Sequence, residues 1–352
     1  MSRYSVCSRR RVESGLAIAL LVALAVPLVG TRPAMAQAAK KAEPAAKKVA
    51  VKKKDVPKPP KSRDVHLKTR DELQLTVTYY PSLLQKDAVP IVLLHDYKGN
   101  RQQRPYEETA DKYQALGYAV LVPDLRGHGE SINFAKTAGA ATRPALRLKA
   151  LKPADFTKMV HQDMRTVKSF LMKENNAGKL NIEKLCLIGT GMGASVAANF
   201  ATFDWSHQQF AGAKKQGRDV RGLVMVSPNY SFRGLPLTYF LAHRNLPQEL
   251  KMMHEQLSIM MIVGKQNTGH YADAKRIFKK LSLQHVGKEA ENLKQRSLFF
   301  SNWQHDTPLQ GIDLLTAPSL KVADDVGFFI KRKLGESPHA WTDRTSKLKK
   351  RT

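Results

Sequence analysis

Residues 184–203 read KLCLIGTGMGASVAANFATF. Lys184 to Ile188 is the length of one buried strand. The alternating Gly189, Gly191 and Gly193 mark a turn, and the small and apolar residues from Gly193 to Phe203 predict a helix that begins at once. A strand passing straight into a helix is the repeating unit of a parallel sheet with crossover connections. Working outward, Val65–Leu67, Leu73–Tyr80, Ala88–Leu94 and Tyr118–Val122 predict four strands upstream, with a helix over Glu107–Leu116 between the last two. A long helix is expected over Pro153–Glu174. Strands follow at Gly222–Val226, Ser258–Val263 and Arg296–Phe300, then a last helix over Leu320–Lys333. No internal repeat is visible.

The charge is unevenly spread. The net +28 comes from 58 Lys+Arg against 30 Asp+Glu. Residues 1–36 hold +4 of it, 37–62 hold +7 and 331–352 hold +6, leaving +11 for the rest. Such blocks read as solvated tails rather than a surface that reads nucleic acid, so no specific nucleic-acid partner is expected. The hydrophobic fraction of 42% is enough for a sizeable core. Residues 1–36 are expected to be an export signal: Arg3 and Arg9–Arg11, an apolar run from Gly15 to Val29, and Ala34-Met35-Ala36 as the cleavage site before Gln37. The apolar run is shorter than the roughly 20 residues a bilayer span needs. Residues 37–62 are a Lys/Ala/Pro linker expected to stay extended, able to adhere to an anionic envelope polymer or membrane surface. The folded domain is expected over 63–334, with 335–352 as a basic C-terminal tail; the destination is the periplasm or the exterior. Cys7 leaves with the signal and Cys186 lies in a strand, so no disulfide is expected.

Three strings at set points in this order, LLHDYKGN (93–100), VPDLRGHGES (122–131) and GTGMGAS (189–195), resemble the α/β-hydrolase fold family over about residues 64–334. The resemblance implies a mostly parallel central sheet with helices on both faces and a short lid. It also implies that Asp124, Arg126 and His128 shape a structural loop beside the active site. In that family a serine stands at the centre of Gly-x-Ser-x-Gly on a sharp turn. Here the centre is Gly191, which has no side chain to attack. The family's acid falls at Asn267 in MMIVGKQNTG, an amide, and an alternative acid position falls near Asn229. Asp273, Asp306 and Asp313 do not match the spacing. His305, in SNWQHDTPLQG, occupies the place of the general base. Backbone N–H groups of Met192 and of Tyr97 or its neighbour could form an oxyanion hole. Asp96 replaces the usual glycine there, and its carboxylate would repel an oxyanion unless it points away or pairs with Lys98 or Arg101.

The resulting expectation is an exported, catalytically degenerate hydrolase-like protein that binds a small-molecule, acyl or peptide ligand. The alternative is an active esterase, lipase or peptidase using His305 with an unconventional nucleophile. Thr190 is the weaker candidate for that nucleophile, and Ser195 is read as a packed helix residue. Gly189-x-Gly191-x-x-Ala194 also fits a dinucleotide fingerprint, but no acidic residue follows about 20 positions on, so no cofactor is called for. None of the 11 histidines forms a His-x-x-x-His pair, so no metal is called for. Residues 229–256 sit where the family inserts a lid, either lining an apolar pocket or packing as an ordinary helix. Arg143, Arg147 and Lys149 of the loop 132–153 could meet an anionic ligand, a solvated loop being the plainer reading.

Overall fold

Strand composition fixes which strands lie inside the sheet. In the computed structural model, β3 (Pro90–Leu94), β4 (Ala119–Pro123), β5 (Leu185–Thr190) and β6 (Val220–Val226) are buried along their whole length. Continuous apolar runs like these suit strands covered on both faces. β1 (Arg63–Lys68) alternates and stays exposed at the edge, and β2 (Gln74–Tyr80) joins it to the interior. The remaining strands are the paired β7 (Ser231–Phe232) and β8 (Leu235–Pro236), a small hairpin, then β9 (Ser258–Ile262) and β10 (Leu298–Ser301). The described residues are 58–136, 141–211, 214–242, 244–285, 295–301 and 306–345. The expected export signal, nearly all of the linker and His305 lie outside them.

The large sheet runs β1-β2-β4-β3-β5-β6-β9-β10. β1/β2 and β2/β4 are antiparallel and every later pair is parallel. One face carries α1 (Arg104–Ala115), α7 (Gly311–Thr316) and α8 (Val322–Ile330) over a core that includes Tyr113, Cys186 and Phe329. The other carries α2 (Pro153–Lys158), α3 (Arg165–Asn176), α4 (Met192–Trp205), α5 (Gln248–Gln256) and α6 (Thr268–Leu281), over Phe156, Leu171, Phe200 and Ile277. α4 is apolar on nearly every side because it lies between the sheet and other helices. No helix among the described residues is long and apolar enough to cross a membrane.

The expected strands are all present. Two other expectations change, and of the two readings of the lid segment the ordinary helix is the one found. The single helix over 153–174 is three segments, α2, a π-helical turn at Met159–Met164, and α3; the π turn presents Asp163 to Arg126, whose Nε donates to it at 3.0 Å. The lid region is a hairpin plus α5, and α5 packs Leu250 and Met253 into the core as an ordinary helix. The basic tail from 335 is not a free tail over residues 336–345: although largely exposed, it is hydrogen-bonded to the fold. Asn181 Nδ2 donates to the His339 carbonyl and Asn175 Nδ2 to that of Thr342, both at 3.0 Å. Trp341 Nε1 donates to the Asn175 carbonyl, and Arg344 Nη1 reaches Glu183 (2.7 Å) and Asp219 (2.8 Å). Counting charges gives +6 to residues 331–352 but cannot show that buried carboxylates wait for one of its arginines. The packed structure therefore reaches beyond 334, at least to Arg344.

Candidate active site

β5 ends at Thr190 and α4 begins at Met192, so Gly191 alone makes the turn, at φ +49° and ψ −112°. A non-glycine residue held in so sparsely populated a region costs about 1–3 kcal/mol. Gly191 N–H donates to the Val226 carbonyl at 3.0 Å, which ties the turn to β6. Space is even more restrictive than strain. A Cβ added at Gly191 would fall inside the carboxylate of Asp96, overlapping its Cγ and both oxygens.

Asp96 follows β3, at the same end of the sheet. Its Oδ1 accepts from Met192 N–H at 2.6 Å and from Tyr97 N–H at 2.7 Å. These are the two donors expected to form an oxyanion hole. The carboxylate neither points away nor pairs with Lys98 or Arg101. Arg101 is instead engaged by Asp64 (3.1 Å), Asp124 (3.4 Å) and Glu130 (2.6 Å). A carboxyl oxygen thus already sits on both donors, at the N-terminus of α4, which favours negative charge. Burial pushes the Asp96 carboxyl above its usual range, opposed by the two amide donors and by nearby His270 and His128. A pyrophosphate brought to this helix end, as the dinucleotide reading requires, would meet that carboxylate.

The layer beneath is saturated. Thr190 Oγ1 donates to the Leu94 carbonyl (3.3 Å) and lies 2.8 Å from the Tyr106 hydroxyl, which accepts from Asp96 N–H at 3.0 Å. Fully buried and so engaged, the Thr190 hydroxyl is not placed to attack a substrate. Ser195 is also fully buried, as its packed reading requires. His95 has its Nδ1 2.8 Å from the Asp96 carbonyl, and its Nε2 accepts from Leu125 N–H at 3.0 Å; this pairing fixes the Nδ1–H tautomer. Burial holds that ring down to about 4, so it is neutral.

The loop 124–131 is braced as a unit. Asp124 accepts from Arg101 N–H (2.7 Å) and Glu130 N–H (2.9 Å), and Gly129 is required because a Cβ there would overlap the Asp124 carboxylate. Arg126 lies between Asp163 and Asp71. His128 Nδ1 is 3.0 Å from the Arg126 carbonyl, and its ring stands 4.8 Å from that of His95 and 5.9 Å from that of Tyr97. Above Tyr97 lies the β7–β8 hairpin. Phe232 packs 5.6 Å from the Tyr97 ring, and Arg233 rests its guanidinium 4.6 Å above that ring while Nη1 donates to the hydroxyl at 3.0 Å. Nothing in the sequence pattern singled out Arg233; only the hairpin's position does so.

Asn267 is the N-cap of α6, accepting from His270 N–H at 3.3 Å, and its Nδ2 donates to Gln310 Oε1 at 2.9 Å. The loop after the acid position is thus stapled to the loop after His305. Ser227 Oγ accepts from Gly311 N–H at 2.9 Å and holds the same loop from β6. His305 itself falls outside the described residues. Among the described residues no group of three or more His, Cys, Asp or Glu is placed to hold a metal ion.

The sheet order, the glycine turn and the helices on both faces define an α/β-hydrolase fold. Residues 89–283 match the family model of the serine aminopeptidases, S33, and the chain belongs to that family. Solved structures agree on the fold. An esterase of Pyrococcus furiosus is similar at 18% identity and a TM-score of 0.51, over 78% of this chain and 92% of its own. A thermostable carboxyl esterase of Bacillus coagulans in complex with glycerol shows 11% identity and a TM-score of 0.50, over 78% and 99%. The acylaminoacyl peptidase of Pyrococcus horikoshii shows 13% identity and a TM-score of 0.52, over 82% of this chain and 44% of its own. No curated protein matches.

Proposed function

We propose that this chain is a catalytically silent member of its family that works by binding a ligand at the former reaction site, outside the cytoplasm. One observation carries the reading: Asp96 Oδ1 occupies both amide donors of the oxyanion hole while the carboxylate fills the space a nucleophilic side chain would need. Acyl transfer needs those donors free for the negative oxygen of the tetrahedral intermediate, and losing one such donor alone costs roughly 10²–10³ in rate. Export is supported by the composition of residues 1–36.

The test is hydrolysis of p-nitrophenyl esters and aminoacyl p-nitroanilides by the chain from Gln37. Wild type, His305→Ala, and the triple change Asp96→Gly, Gly191→Ser, Asn267→Asp would be compared. Wild type at background, unchanged by His305→Ala, supports the proposal, and turnover gained by the triple change shows that the scaffold still fits the reaction. Gly191→Ser without Asp96→Gly is expected to gain nothing. Wild-type turnover that His305→Ala abolishes would overturn the proposal and leave the unconventional-nucleophile reading in its place.

A further inference from the structure

Asp96 differs from the buried acids among the described residues in having no Lys or Arg partner there, its charged neighbours being His270 and His128. Among the described residues six acids are buried: Asp124, Asp163, Glu174, Glu183, Asp204 and Asp219. Each lies within ion-pair distance of an Arg or Lys: Asp124 with Arg101, Asp163 with Arg126, Glu174 with Lys179, Glu183 with Arg344, and Asp204 and Asp219 both with Lys168. Asp96 is only half-buried, and no Lys or Arg of the described residues pairs with it, although the chain carries almost twice as many bases as acids. Its Oδ1 is satisfied by two amides, whereas Oδ2 accepts no hydrogen bond from a described residue. The adjacent aromatic surface already takes a cation, because Arg233 lays its guanidinium over Tyr97 and, 5.9 Å off, over Phe232. A carboxylate oxygen that no described residue donates to, next in the chain to an aromatic side chain that a guanidinium already caps, is the pairing that recognises organic ammonium and guanidinium groups.

We propose that the site takes a small organic cation, a primary ammonium or guanidinium group, with Asp96 Oδ2 as its counter-charge and Tyr97 as its aromatic wall. This rests on the binding reading above and names its ligand class.

The experiment is calorimetric titration of the chain from Gln37 with n-butylammonium and n-butylguanidinium chloride, against n-butanol and sodium butyrate at matched ionic strength. Saturable binding of the cations is expected, at least tenfold tighter than of the alcohol, with no binding of butyrate. Asp96→Asn keeps a carbonyl oxygen for both amides and removes the charge, so it is expected to weaken cation binding at least tenfold. Equal affinity for butanol and butylammonium in the wild type, or cation binding unchanged in Asp96→Asn, would overturn the proposal. The wild-type comparison stands alone if the variant does not fold. Failure of the underlying reading shows elsewhere, as His305-dependent ester turnover; failure of this proposal alone leaves ester turnover at background with no cation preference.

Discussion

Gly191 and Asp96 are one feature written at two places 95 residues apart in the chain. Either departure from the family pattern could be read from the sequence. Their coupling could not, because it depends on β3 and β5 being neighbours with their ends level. Gly191→Ala is therefore expected to destabilise by more than the roughly 1–3 kcal/mol of backbone strain alone, since its methyl also meets the carboxylate. Asp96→Gly in the same chain should return part of that loss, and urea midpoints of the two singles and the double would measure the coupling. Additive effects would show that the carboxylate gives way at no cost. Asn267 illustrates the opposite case: its identity was legible, but its work as a helix cap and loop staple depends on Gln310, which no local pattern connects to it.

Among elements, the strands were the most legible because their interior runs are long, apolar and bounded by turn residues. Helices α5 and α6 were less so, since they lie in segments read for lid and acid position rather than for periodicity. The π turn was invisible, because no local pattern in 153–174 shows that Asp163 faces Arg126 there. Arg126→Met should cost about 3–5 kcal/mol by leaving Asp163 as an unpaired buried charge, and should loosen the 124–131 loop; a chemical-denaturation midpoint would show it. The C-terminal strap makes its own prediction. Arg344→Ala removes charged hydrogen bonds to Glu183 and Asp219, worth about 1.5–3 kcal/mol. The loss should fall toward the low end of that range because Asp219 keeps Lys168 and Lys215. Stability equal to wild type would mean that the strap is not held by this residue.

Over the whole molecule the basic excess hides a core that resists protons. Burial lowers His95, His128, His254 and His285 from 6.5 to about 4. Between those values the unfolded chain takes up protons that the folded chain refuses. Stability from these groups is complete above pH 6.5 and falls as the pH drops toward 4, by about 1.4 kcal/mol per pH unit for each histidine. Asp71 and Asp219, lowered to about 2, act later, their contribution being lost only below about pH 4. Urea midpoints at pH 7.5, 5.5 and 4.5 should decline steadily, and a flat profile over that range would show that the four rings are not neutral when folded.

The occupied oxyanion hole has a practical consequence for finding such proteins. Reagents that label hydrolases do so by bonding a phosphorus or carbonyl centre to an exposed serine, with the charged oxygen settling onto two amides. Here there is no hydroxyl to bond at Gly191 and no vacant amide pair to settle on. On the proposed reading, a chain built this way passes unmarked through covalent profiling of an extract, and its absence from such a census records a missing hydroxyl and an occupied amide pair rather than the loss of the fold.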